Sequence, residues 1–474
     1  MRAHSNLPGK HILHVAIVAA CPLLTWFALD RGKMPTLAVV GLLAMVVGIY
    51  VGLRQPLWLY WGLAAVMGFL PHGYFPGVHL PLYLPFAAGV LLAALLHPTA
   101  ETRLHPIEIA VVVLVIVAGV SVLATATNLS DVAEFIKWSL ATLVLIALLR
   151  LSRENLIRFG RIFVFAATAN ALFGIVTVLL PGKGLIRVFS VFGYQQMDRF
   201  VFSNEGQSRS IRLGGLWIDP NGAGLALIFT FVIALVVLTG RARAAVIAIL
   251  SIAILLTLSR AAIFSLLAGL LLVLVFHKMR QRDRQIAIGG IFLAVIVALL
   301  VPQIRNRIFS SFGSDDAGSS ARWEALLKFP ADMAGDWLFG KPWASPEFKS
   351  GEVAFKLNFA ANAPLDSIYR GGIFVGLAFV TVLVMGIIMS FKAIRSDSLP
   401  AAIYGGAFIG LTLIAFQLDH PIVLISQTTL IFSVLLAFLV YVDRQREEAS
   451  ETPPPHSRRG VPPAEDTRPV TYAH

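Results

Sequence analysis

Apolar runs of roughly 17–25 residues recur along this chain, the length at which one helix crosses a hydrocarbon layer about 30 Å thick. Backbone amides and carbonyls in such a layer have no water to bond. Each run must therefore pair them internally, as a helix or within a closed barrel. Barrel strands alternate apolar and polar residues, and stretches such as Ile107 to Val122 show no such alternation. The fold class expected is all-α: a polytopic transmembrane helix bundle. Composition agrees. Of 474 residues, 57% are hydrophobic and 14% charged, against about 45–50% and 25% in soluble domains. One globular core cannot hide such an excess.

Windowed hydropathy places spans near 11–29, 35–53, 57–70, 78–96, 106–125, 133–150, 161–181, 218–239, 244–259, 260–276, 285–301, 366–391, 400–416 and 422–441. That makes about twelve to fourteen, since the third is short enough to be re-entrant. The first, His11 to Leu29, has no small-residue cleavage site and is expected to stay as a helix. It holds the single cysteine, Cys21, so neither a disulfide framework nor a cysteine metal site is expected. The chain divides into helices with an external loop at 182–217 (residues 1–301), a large extracytoplasmic loop (302–365), C-terminal helices (366–442) and a tail (443–474). The tail, rich in Pro and charge, is expected to be disordered and cytoplasmic.

The net charge of +12 is explained by basic residues that hold loops on the cytoplasmic side, and no nucleic-acid partner is expected. Arg241 and Arg243 precede the pair of runs at 244–276, and Lys278, Arg280, Arg282 and Arg284 follow it. Both ends want the cytoplasm, so Ser259–Arg260 is predicted at the outer tip of a hairpin. Counting out from that tip makes Arg150–Arg161, Lys392–Arg395 and Arg444–Arg446 cytoplasmic, together with both termini. The two long polar excursions fall outside.

Basic residues outside are not needed to set topology, and planar guanidinium groups suit phosphate or carboxylate. Most of those in 182–217 and 302–365 read equally well as solvated loop charges. Arg260 differs: one cation between apolar flanks, where an ionisable group is expensive and usually functional or paired, unless it snorkels from the tip. Asp219-Pro220-Asn221 reads as a helix start, with Asp219 capping and Pro220 in the first turn. Arg212, just before it, would share that amide-rich end with an anion. Ser319 to Phe329 reads as a short amphipathic helix and Gly335–Gly340 as a turn. Asn362, Asp366 and Gly371–Gly372 lead into the next span.

These blocks together resemble the O-antigen ligase and polymerase family of membrane glycosyltransferases. The resemblance rests on Arg212 with Asp219-Pro220-Asn221, Ser259-Arg260, Arg322-Trp323, and Asn362, Leu365, Gly372 and Gly376, and spans about 200 to 391. It implies an enzyme whose substrates are a polyprenyl-diphosphate-linked glycan and a glycan acceptor, met among membrane lipids. It implies catalysis by Arg212, Arg260 and Arg322, with Asp219, Asn221, Asn362, Asp366 and His420 around the substrate. Neither cofactor nor metal is expected. Ligases of this family commonly carry a His before the Asn; here Ala361 stands there, which points towards a polymerase. His420, between the last two spans, is the nearest external alternative, and Asp366 and Asp419 are candidate bases. A ligase, or in another class a lipid-linked sugar transporter, remains the competing expectation.

Overall fold

A computed structural model describes residues 50–51, 54–76, 80–97, 104–180, 184–194, 200–202, 209–217, 219–300, 305, 317–345, 362–415 and 426–451. The expected spans at 11–29 and most of 35–53, together with His420, Asp419, Ala361 and the tail beyond 451, lie outside the described residues.

The described chain is overwhelmingly helical. In order it forms α1 (Pro56–Phe69), α2 (Tyr83–Leu96), α3 (Pro106–Thr125), α4 (Leu129–Leu149), α5 (Arg153–Leu179), α6 (Pro220–Val237), α7 (Gly240–Leu256), α8 (Arg260–Phe276), α9 (Gln281–Leu300), α10 (Ala317–Asp332), α11 (Ala363–Ile394), α12 (Leu399–Ala415) and α13 (Ser426–Glu451). A small antiparallel hairpin, β1 (Phe200–Phe202) and β2 (Arg209–Ile211), interrupts the all-helical pattern expected from sequence. Among the described residues six helices, α3, α4, α5, α6, α11 and α13, are long and apolar enough to cross a membrane. Shorter apolar helices, α1, α2, α8 and α12, accompany them.

Polar residues set where the helices begin. His105 and Glu108 form a reciprocal cap on α3, and Asn128 and Asp131 do the same for α4. Single caps come from Ser152 on α5, Asp219 on α6, Ser259 on α8 and Asn362 on α11. Each occupies amides that helix geometry leaves orphaned. Hydropathy windows drop such polar first turns, which is why α4 and α5 start at 129 and 153 instead of 133 and 161.

The helix ends sort into two faces. On one, the buried Glu108 carboxylate holds Arg150 at 2.5 Å and Arg444 at 3.7 Å, while Asp443 takes Arg446 at 3.0 Å and faces His105 at 3.9 Å. Arg153–Glu448 joins the same face. These contacts carry α13 to Glu451, past residue 442 where the last span was expected to give way to a tail. On the other face lie the 70–82 connection, the β-hairpin, the starts of α6, α8 and α11, and the α3–α4 turn. Arg150, Arg153, Arg444 and Arg446, assigned to one side by charge, thus share one face.

Helices α6 and α13 are almost wholly buried in the centre. Small residues let α12 approach two neighbours at once. A Cβ on Gly269 of α8 would lie 2.7 Å from the Gly406 carbonyl carbon, and one on Gly405 would collide with Ser390 O of α11. Ser265 Oγ donates to Gly410 O at 3.2 Å. Such small-residue seams replace the hydrophobic effect as the source of packing between helices in lipid. Replacing Gly406 by Ala is expected to destabilise the protein by about 1–3 kcal/mol, the usual range for overpacking. Gly289→Ala on α9, where an added Cβ meets nothing within 4 Å, should leave the melting temperature unchanged or slightly raised. Thermal unfolding in nanodiscs checks both.

Candidate active site

Two of the sequence blocks meet around the Arg212 side chain. Strand β2 delivers Arg212 alongside the end of α7, where Leu213 N donates to Leu256 O at 2.9 Å. Arg212 Nε donates to Thr257 O at 2.9 Å, and its Nη2 donates to Asn221 Oδ1 at 2.8 Å. Asp219 Oδ2 accepts from Asn221 N at 3.0 Å and Gly222 N at 2.9 Å, starting α6 as expected. One guanidinium thus ties the end of α7 to the first turn of α6.

The α7–α8 turn is tightly built. Leu258 has φ 50°, a left-handed conformation unusual for a non-glycine residue, and such outliers gather at functional sites. Thr257 Oγ1 accepts from Ser259 N at 3.2 Å. Ser259 is fully buried and caps α8 through Ala262 N at 3.4 Å. Gly224 of α6 sits against this turn; a Cβ there would be 2.8 Å from Ala262 Cβ and 3.1 Å from Ser259 Cβ. The N-termini of α6 and α8 therefore adjoin, and half-buried Arg260 is the first residue of α8. Asp219 and Ser259 take the first amides of these two ends, and the Arg212 guanidinium beside them adds positive charge to the patch, which favours an anion.

Behind the patch, buried Asn170 of α5 accepts from Leu216 N at 3.0 Å and donates to Gly68 O at 3.4 Å. Asn170 also lines a small cavity with Trp217 and Thr230. His72 N donates to Tyr194 Oη at 3.1 Å, and the His72 ring meets Trp217 edge-on. Burial pushes the Tyr194 phenol well above its usual value, so it stays protonated.

Asn362, Asp366 and the large loop form a second cluster. Asn362 Oδ1 accepts from Leu365 N at 3.1 Å, and Asp366 is buried one turn further on. Helix α11 breaks at Gly372, which has φ 77° and ψ −178°. The segment 337–345 fits into the break: Ile373 N donates to Trp337 O at 2.9 Å, and Lys341 N to Tyr369 O at 2.8 Å. Trp343, fully buried, packs against Phe135 and Trp138 of α4. Asp131 Oδ1 receives Ala344 N at 2.6 Å, and Ser121 Oγ donates to Phe339 O at 2.5 Å. The buried guanidinium of Arg370 lies 5.5 Å from the Trp343 ring centroid. The sequence reading did not single out Arg370. The signal available was a cation four residues after Asp366 inside an apolar span.

Arg212, Asp219 and Asn221 are thus brought together beside the start of α8, whose first residue is Arg260, and Asn362 and Asp366 belong to the second cluster. Helix α12 packs against α6, α8 and α11, linking the helices that carry the two clusters. Arg322 lies on α10, about two turns before Phe329. Phe329 and Met333 anchor the end of that helix on Leu365 and Tyr369. Among the described residues no group of three or more His, Cys, Asp or Glu could hold a metal. Comparison with known proteins finds no matching family model and no matching curated sequence.

Lys at position 212 would keep the charge but could not span Thr257 O and Asn221 Oδ1 in one plane. Arg212→Lys and Asn221→Ala are each expected to lower unfolding stability by about 1–3 kcal/mol. Their double variant should cost clearly less than the sum, the mark of a shared interaction. A thermal double-mutant cycle in nanodiscs measures this.

Proposed function

We propose that this chain is a bacterial cell-surface polysaccharide polymerase. It transfers glycan from a polyprenyl-diphosphate-linked donor to an acceptor sugar at the outer face of the cytoplasmic membrane. The observation that carries the reading is that the Arg212 guanidinium lies where the N-termini of α6 and α8 adjoin, α8 beginning at Arg260. An anionic leaving group is what such a patch stabilises.

In this reading the acceptor hydroxyl attacks the anomeric carbon, the bond from that carbon to the diphosphate oxygen breaks, and the lipid diphosphate departs. The leaving group already has a low pKa. The protein therefore contributes orientation and fixed positive charge, not proton transfer to the leaving oxygen. Arg212 is held in one plane by Thr257 and Asn221, so little reorganisation is needed when charge develops. Arg322 serves the diphosphate or an acidic sugar, and the acceptor's proton passes to a base for which Asp366 and Asp419 are the candidates.

A second reading has a specific observation in its favour. The broken α11, with Arg370 buried beside the break, is the kind of discontinuous helix found in transporters. Transporters of that kind carry such breaks in pairs around a shared site, and here the gap is filled by the chain's own segment 337–345.

Arg260→Ala should lower polymer formation by at least about 100-fold, the scale of losing one preorganised charge-stabilising donor, at unchanged membrane abundance. Arg260→Lys should recover only part, since the fork is lost. Gel profiles of lipid-linked glycans in cells complemented with each variant read the effect. Single repeat units accumulating in cells lacking the protein support the polymerase. Full-length chains left on the carrier would make it a ligase. Intermediates shielded on the cytoplasmic leaflet would make it a transporter.

A further inference from the structure

Between Met333 and Lys341 the large loop makes a turn that leaves three consecutive large apolar residues uncovered. Trp337 is 40% exposed, Leu338 51% and Phe339 38%. Gly335 and Gly340 bound the turn with φ 93° and 73°. At Gly340 a Cβ would lie 2.6 Å from the carbonyl carbon of Arg370, so this conformation holds the turn hard against α11. The turn is not loose: Trp337 O receives Ile373 N, and Phe339 O receives Ser121 Oγ. Exposure of three such residues on a fixed turn calls for a partner.

The place of the turn identifies that partner. Ser121 is on α3, whose neighbouring Val120 and Leu123 are exposed, Leu123 at 87%. Ile373 is on α11, followed by exposed Phe374 and Leu377. Helices α3 and α11 pack together, and both are long and apolar enough to cross a membrane. Trp337, Leu338 and Phe339 are thus held by bonds to two helices that expose large apolar side chains next to those bonds. Asp336 and Lys341 stand at either end, and Trp337 packs edge-on against Phe329 of α10 at 5.9 Å. An apolar group with an aromatic, flanked by charges at the end of two spans, is the composition of a membrane–water interface.

We infer that the turn 336–340 is a lipid-docking surface: it sits in the bilayer edge beside α3 and α11 and fastens the large loop to the leaflet. The partner is the acyl and headgroup boundary of the membrane, not a protein. This inference rests on the spans alone and stands whether or not the chain makes polysaccharide.

Spin labels test it on the full chain. In a Cys21→Ser background, Leu338→Cys, Leu123→Cys and Asp397→Cys are labelled one at a time. The protein is placed in vesicles of phosphatidylethanolamine and phosphatidylglycerol. Asp397 is exposed in the α11–α12 turn on the opposite face and serves as the aqueous reference. Collisions with oxygen, which partitions into lipid, are compared with those of a water-soluble nickel chelate. The expected oxygen-to-nickel ratio at 338 is within about twofold of that at 123 and about tenfold above that at 397, as for a side chain below the headgroups. A ratio at 338 matching that at 397 overturns the inference by placing the turn in water. Shielding from both reagents also overturns it, since protein would then cover the turn.

Discussion

At Thr257–Ser259 the chain turns between α7 and α8 on one face of the bundle, and at Gly372 a helix breaks within its length; each place frees backbone groups that need partners. In both places another part of the chain supplies the partners. Arg212 and Leu213 bond the carbonyls of Thr257 and Leu256. Trp337 and Lys341 bond Ile373 and Tyr369. The rest of this face follows from that requirement. The β-hairpin must reach α7, and the large loop must fold back onto α11, because otherwise the breaks would be left open. Irregular backbone within an apolar helix such as α11 is tolerated where protein covers it, as the segment 337–345 does at Gly372.

The opposite face is organised by charge instead. Glu108, nearly fully buried at the start of α3, gathers Arg150 and Arg444, and Asp443 gathers Arg446. A buried carboxylate left without such partners would be strongly destabilising, so these arginines do more than bias orientation. They hold the ends of α4 and α13 against the start of α3. Basic residues that a topology argument treats as markers thus also carry the packing of that face.

This difference explains what could be read in advance. The six long apolar helices, out of the twelve to fourteen spans expected, were legible because an apolar run of spanning length admits few structures. The 257–259 hairpin was legible because charge at both ends of 244–276 excluded a single helix. Asp219 and Pro220 announced the start of α6 by cap chemistry that is local in sequence. The bond between Arg212 and Asn221 joins residues close in sequence, yet the reach to Thr257 crosses forty-five positions and no periodicity encodes it. Arg370 escaped for a related reason. Its neighbour Trp343 comes from the loop, so its meaning depends on a contact that only the folded chain makes.

The polar groups at the two interruptions also have an uneven relation to stability. A helix break with a left-handed leucine at 258 is a costly way to connect α7 to α8. A glycine there would relieve the backbone but remove a buried side chain. The strained turn places Ser259 as the cap and Arg260 as the first residue of α8, hard against the start of α6. A relaxed, longer connection would satisfy the membrane equally well and would separate the two helix ends. Adjacency of the two helix termini is what the strained turn secures.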